Sequence, residues 1–382
     1  MAYMIREKIF FITYGFYLLT MILCNSTYAV YIPSFTQKYI NVVCIGLLAC
    51  GELSYPKYTA KQLVILLFLL GISAINYIIV SDVMFVLTLV FIFCAHDISF
   101  KKIGRYTMYI LLFMLLLIIC SAKMGIIANF MSINVFRERQ FIGFLYPLIP
   151  ATLFGNLVFL YAYYKESDVN WGTLLLFFIA NSLIWYWTDS RLGTILTFAF
   201  LLFLVLKKLF GKYSLKNSFV KNILIFSYVI SCFIGIYTAY NYNPSDINHL
   251  LANIVLAGRL SLGYEALTTY PVTLWGMKLP LVGHGLDANG RHMNGEYFWI
   301  DCLYIKFLLQ YGAVVLMAYI MSFTQLLRKY GKQNNYTVML ILALLAVHAI
   351  IDDAIMYVMY NPFLLMIGTE LISAKKNVEY VE

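Results

Sequence analysis

Apolar residues in this chain fall in long, almost unbroken runs rather than in the alternating or one-faced patterns of soluble strands and helices. The runs lie at 9–24, 38–53, 62–80, 82–96, 106–122, 144–164, 171–187, 192–206, 222–240, 302–327, 336–351 and 354–374. A bilayer is crossed by a helix of roughly twenty apolar residues. The pattern therefore predicts an all-α, polytopic integral membrane protein with about twelve transmembrane helices. The runs 82–96 and 192–206 are short and must borrow from their flanks. Residues 1–382 read as a single transmembrane domain without an internal repeat, a low-complexity stretch or a soluble domain.

Two polar segments interrupt the runs. One is a loop at 123–143. The other, 241–301, is roughly sixty residues long and too large for a simple connector. It opens with Pro244-Ser245-Asp246, a helix-start signal. Ile247, Leu250, Leu251, Ile254 and Val255 follow at helical spacing and predict an amphipathic helix lying on the bundle or at the interface. Pro271 ends that stretch, Gly283-His284-Gly285 reads as a turn, and Asp301 begins the return into the membrane.

Composition agrees with the pattern: 62% of residues are hydrophobic and 12% charged. The net charge of +9 does not point to nucleic acid, because it lies in short loops beside apolar spans. With the N-terminus inside, the cytoplasmic segments hold fifteen lysines and three arginines, 18 of the 27 basic residues. That bias places both termini inside. The first apolar run follows Arg6 and Lys8 and has no cleavage site after it, so it reads as a span rather than a cleaved signal. The seven cysteines lie in or at the ends of apolar runs without a C-x-x-C pair, which indicates neither a disulfide framework nor a zinc site.

Arginine breaks the charge rule. Five of the eight arginines (Arg137, Arg139, Arg191, Arg259 and Arg291) fall in or beside the external loops, where basic residues are normally scarce. The planar guanidinium fork matches phosphate and carboxylate oxygens two at a time, so these positions are candidate anion-binding sites. Arg139 to Gly143 reads R-Q-F-I-G and Arg259 to Gly263 reads R-L-S-L-G. On a helix, positions i and i+4 share a face, and a glycine there leaves a gap beside the guanidinium. The other reading makes the glycines caps or packing sites and lets the arginines snorkel to headgroups. Arg191, in Thr188-Asp189-Ser190-Arg191-Leu192-Gly193, sits between two spans with almost no loop. A charge at membrane depth costs roughly 2.5 kcal/mol or more unless it is paired or solvated. Arg191 is thus either an ion-pair partner of Asp189 or the floor of an outward-open cavity. Asp301 suits a general base, an acceptor clamp or a helix N-cap. His284 and His292 share its loop, and Glu265 and Glu296 are further bases or structural partners. Asp352 and Asp353 follow His348 at the outer end of the eleventh run.

Taken together, Arg139-Gln-Phe-Ile-Gly143-Phe, Ser190-Arg191-Leu192-Gly193, Gly258-Arg259, Gly283-His284-Gly285, Asp301-Cys302-Leu303-Tyr304 and Gln310-Tyr311-Gly312 stand in an order that resembles the Wzy-like O-antigen and capsule repeat-unit polymerases. That family lies within the wider O-antigen polymerase and ligase superfamily. The resemblance covers most of the chain. It implies a bacterial plasma-membrane enzyme that moves a growing glycan from its polyprenyl diphosphate to a hydroxyl of a second lipid-linked repeat unit. The transfer would be inverting and metal-independent, with no cofactor. Arg139, Arg191 and Arg259 map onto the expected diphosphate-binding arginines, and Gly143, Gly193 and Gly263 are the motif glycines. Related ligases often show histidine then asparagine where Asp301-Cys302 stands, so the base is either Asp301 or His284. Implied partners are the polyprenyl-diphosphate-linked donor and acceptor and membrane lipids, with a chain-length regulator as a further candidate and no nucleic acid. Two alternatives stand beside this reading. A ligase would pass a finished glycan to another acceptor. A flippase would show repeated halves and broken midplane helices.

Overall fold

The computed structural model describes residues 2–33, 35–134, 137–165, 169–211, 218–283, 285–287, 289–291 and 295–374, with the side chains of 2, 133, 134 and 137 left aside. Fifteen α-helices are described: α1 (Ala2–Cys24), α2 (Thr36–Leu53), α3 (Ala60–Ile79), α4 (Val83–Cys94), α5 (Phe100–Lys123), α6 (Ile149–Lys165), α7 (Trp171–Thr188), α8 (Arg191–Phe210), α9 (Ser218–Ile225), α10 (Ser227–Tyr240), α11 (Ile247–Val255), α12 (Arg259–Thr269), α13 (Leu303–Lys306), α14 (Ala313–Lys332) and α15 (Tyr336–His348). The antiparallel hairpin β1 (Met131–Asn134) and β2 (Arg137–Gln140) lies in the first polar segment, where the sequence predicts only a loop.

Four helices, α1 from Tyr3, α3, α5 and α8, are long and apolar enough to cross a membrane, and the count reaches six if the bent pairs α9–α10 and α11–α12 are each one span. Their outward faces are apolar: Val64 and Leu67 on α3, Phe113 and Leu116 on α5, and Ile195 and Leu202 on α8 are all exposed. Water would penalise such continuous faces, whereas lipid would not. This is the construction of a multi-pass membrane protein. Local signals set the helix starts. Thr59 and Gln62 form a reciprocal capping box on α3, and the Asp82 carboxylate accepts the amides of Met84 and Phe85 at the start of α4.

Three expected features come out differently. The tenth run is not one helix. After α13 the chain widens into a π-turn at Phe307–Tyr311, breaks at Gly312, and resumes as α14. The twelfth run, 354–374, is not a regular spanning helix either. It holds a 3-10 turn at Ala354–Met356, irregular backbone, and a helical run at Pro362–Ile372, too short to span. Non-helical backbone is tolerated in apolar surroundings only where protein satisfies it. Here Asn156 Nδ2 on α6 donates to Tyr360 O at 2.5 Å, and the segment 355–366 is buried apart from the half-buried Tyr357. Finally, α11 forms as expected with Asp246 as N-cap, but it does not lie on the bundle: Ile247, Leu251, Ile254 and Val255 are all exposed.

The second half of the large loop folds back onto the break in the tenth run. Ala313 N donates to Thr273 O at 3.0 Å, Val314 N to Leu274 O at 3.3 Å, and Met277 N to Leu309 O at 3.1 Å. This backbone contact excludes side chains. Gly312 has φ +94, and a Cβ there would lie 2.2 Å from Leu274 O; one on Gly276, φ +83, would lie 2.1 Å from Gln310 O. Gly312→Ala is expected to lower stability by about 2 kcal/mol or more, and Gly71→Ala, on an open face of α3, by nothing or less than nothing. Thermal unfolding of the two variants in one detergent, each against the wild type, checks this pair.

Candidate functional site

The returning loop ends at 297–301, directly before α13, and delivers Asp301 next to Arg259. Arg259 opens α12 after Ala257 and Gly258, both with positive φ, where α11 and α12 meet at 109°. That turn points the guanidinium back toward the bundle. Its Nε lies 3.2 Å from Asp301 Oδ2, a charge contact rather than an aligned hydrogen bond, and Nη1 donates to Leu256 O at 3.1 Å. Most of its N–H donors are unclaimed among the described residues. Asp301 does not cap the helix. Cys302 holds the N-cap position, so the Asp301 carboxylate is left for Arg259.

Behind this pair lies a charged cluster of low exposure. Lys306 Nζ on α13 contacts Asp353 Oδ2 at 2.5 Å and lies 4.1 Å above the Trp299 ring. Trp299 Nε1 donates to Asp353 Oδ1 at 3.1 Å. His348 Nε2 at the end of α15 faces Asp352 Oδ2 at 3.1 Å. Leu303 N donates to Ala349 O, tying the two segments together. Three carboxylates thus share a confined space with one arginine, one lysine and one histidine.

Their environments push two of these carboxyls apart. Burial lifts the Asp301 carboxyl to about 7; Arg259 opposes the shift, while Asp353 and Asp352 add to it. For Asp352 burial also acts upward, yet the hydrogen bond and charge of His348, with the Ala354 amide, hold it below the ordinary carboxylate range. A carboxyl that titrates near neutrality beside one that stays ionised is an arrangement suited to proton transfer. Tyr146 lies among Asp301, Arg259, Arg139 and Asp352.

The other singled-out residues have distinct places. Arg139 is on β2, not on a helix, and its Nε donates to Thr188 O at 2.9 Å. Arg191 is half exposed and lies 3.5 Å from Asp189 Oδ1, as the ion-pair reading expects. These two arginines therefore meet at the 188–191 turn. Gly143, φ +85, is a packing glycine in that it leaves no room for a Cβ beside Ala122 and Ile118 of α5. The shared-face reading of Arg139–Gly143 is thus replaced by a strand followed by a turn. Gly263 shares α12 with Arg259, but its bare face meets Ala239 and Ile305, so it too serves close packing. Gly193 faces Ala151 at ordinary contact distance. Arg291 flanks a turn in which the Asp287 carboxylate accepts its backbone amide at 2.8 Å. His284 and His292 lie outside the described residues, and the side chain of Arg137 is not described.

Sequence reasoning missed Tyr146 and the part played by Lys306, since nothing local distinguishes either from an interface anchor. The i,i+4 spacing of His348 and Asp352 was a usable signal. Among the described residues no group of His, Cys, Asp and Glu is arranged to hold a metal ion. A cavity beside α10 and another between α3 and α14 do not include Arg259 or Asp301. The chain matches no protein-family model, no curated protein and no solved structure.

Lys306→Met leaves the Asp353 carboxylate buried without its cation. The expected loss is roughly 3 kcal/mol or more. Lys306→Met with Asp353→Asn should recover much of it, which thermal unfolding of the single and double variants reads directly.

Proposed function

We propose that this chain is a polysaccharide repeat-unit polymerase of the outer face of a bacterial plasma membrane, joining polyprenyl-diphosphate-linked oligosaccharides. In this reading about twelve passages cross the bilayer. The last is the buried, broken run 354–374, and both termini lie on the lysine-rich cytoplasmic side. The observation that carries the proposal is the Arg259–Asp301 contact: a guanidinium with donors to spare beside a carboxyl that titrates near 7, at the end of the bundle where both polar loops converge. The motif order that resembles the Wzy-like polymerases supports it independently.

The chemistry runs as an inverting displacement. The acceptor hydroxyl oxygen attacks the anomeric carbon and gives its proton to the Asp301 carboxylate. The bond from that carbon to the diphosphate oxygen breaks, and its electron pair stays on the diphosphate. Arg259 takes the developing charge, with Arg139 and Arg191 as a second anion-binding lobe at the 188–191 turn. Fixed cations in a partly dry site stabilise such charge strongly, because they need not reorganise. Asp352, held ionised by His348, keeps Arg259 turned toward the site. His284 is the alternative base.

Deletion and complementation, read on a surface-glycan gel, tests the assignment. Single repeat units in the deletion strain, restored to long chains by the wild type but not by Arg259→Ala, is the expected result. Long polymer left unattached would make the protein a ligase, and complete units trapped inside would make it a flippase. Arg259→Lys should rescue poorly, because it lacks the bidentate fork.

A base must be ionised to accept a proton, and the ionised fraction of Asp301 grows as pH rises through its pKa. Polymerisation by purified protein should therefore increase with pH around a midpoint of about 7. Asp301→Asn should lower the rate by about 10² to 10⁴ and flatten that profile. A wild-type rate independent of pH between about 5.5 and 8.5 would remove Asp301 from the role.

A further inference from the structure

The α3 helix leans on α4 and on the turn Ile367–Ile372, and it stands off from α14. Between α3 and α14 this leaves a lateral cleft of about 370 Å³, backed by α4 and the run 362–372. Leu69, Ile72, Phe85, Phe307 and Ile367 make its walls apolar. From Lys61 to Ile72 the α3 wall rises roughly 16 Å, about half the hydrocarbon thickness of a bilayer and so the depth of one leaflet.

One end of the cleft is polar. Lys61, Gln325 and Glu370 line it there, while Ser322 and Thr88 stand midway along α14 and α4. Glu370 is neutralised by Lys329, whose Nζ lies 2.6 Å from its Oε2. Lys61 Nζ donates to Leu371 O at 2.5 Å, and no carboxylate among the described residues pairs with it. Lys61 thus brings a cation to the mouth, with the Asp97 carboxylate, bound by Ser373, Ala374 and Gln62, set back beside it. Anionic lipids of the cytoplasmic leaflet are drawn to such basic rims, by about 1 kcal/mol per cation. The hydroxyl of Ser322 and the amide of Gln325 sit where ester oxygens would follow a phosphate into the wall.

We infer that this cleft is a specific site for one anionic phospholipid of the lysine-rich leaflet, its acyl chain between α3 and α14 and its phosphate on Lys61. The inference rests on the membrane placement proposed above and not on the transferase chemistry. It is separate from Arg259 and Asp301, which lie at the opposite end of the bundle.

Native mass spectrometry of the full-length protein tests it, with phosphatidylglycerol, phosphatidylcholine and free glycerol phosphate titrated in turn. The expected result is one saturable phosphatidylglycerol adduct, held about fivefold more tightly than phosphatidylcholine, and no adduct with glycerol phosphate. Lys61→Gln should bring the two lipids to parity. Ile72→Trp, which fills the cleft, should remove the adduct, and Ser322→Phe serves the same purpose if the tryptophan variant does not fold. Thermal unfolding near that of the wild type qualifies each variant. Equal retention of both lipids by the wild type, an adduct that survives the filled cleft, or binding of glycerol phosphate alone would overturn the proposal. No arm reads glycan transfer, so the outcome stands whether or not Arg259 and Asp301 carry that reaction.

Discussion

Between Phe307 and Ala313 the chain gives up regular α-helical hydrogen bonding, and backbone groups near the break are taken up by residues 273–277. In apolar surroundings an unsatisfied amide or carbonyl costs several kcal/mol, so this exchange is what makes the break possible. It also fixes the large loop. Once 273–277 is bound to the break, the strand-like stretch after it pairs at Val282 with Phe298, and 297–301 comes to rest on α15 and α13. Asp301, Trp299 and Lys306 are delivered together as a result. The two glycines at the crossing, Gly276 and Gly312, are the only residue type that permits backbone to approach backbone so closely there.

The charged cluster follows from that delivery. Asp353 is gripped by Lys306 and Trp299, and Asp352 by His348, which leaves Asp301 to Arg259. Within a few residues the fold thus produces one carboxyl held ionised and one balanced near neutrality. The difference lies in hydrogen bonding: Asp352 accepts the His348 imidazole and the Ala354 amide, whereas Asp301 has a guanidinium in contact but out of line. Burial alone would treat the two alike.

What the sequence discloses here depends on the range of the interaction. Runs of apolar residues are local, and they placed α2, α3, α7, α8 and α15 to within a few residues, and the end but not the start of α1. The Asp246 cap and the Ile247-to-Val255 stripe are local too, and α11 forms where they stand. The break at Gly312 and the irregular run 352–372 are not local. Their apolar content reads like any span, and only contacts with residues 273–277 and with Asn156 permit the departure from a helix. In the site, the arginine bias directed attention to Arg259. The R-x-x-x-G spacing misled at Arg139, because strand pairing of Arg139 with Ser132 overrides a helix there. Tyr146 carries no sequence signal, since its importance comes from four charges contributed by distant segments.

The buried run 352–372 has a consequence for how the molecule is made. A segment that opens with two aspartates and contains only a short helical stretch cannot satisfy its own backbone in apolar surroundings, where each unpaired group costs several kcal/mol. Its partners α4, α6 and α14 all precede it in the chain. Gly368 must fit against Ile92 of α4, and Tyr360 must find Asn156 of α6, before its backbone is satisfied. The irregular segment is therefore satisfied only in a groove that earlier parts of the chain supply. The same docking sets Asp352 and Asp353 beside Arg259 and Lys306, so the charged cluster is complete only when this segment is seated.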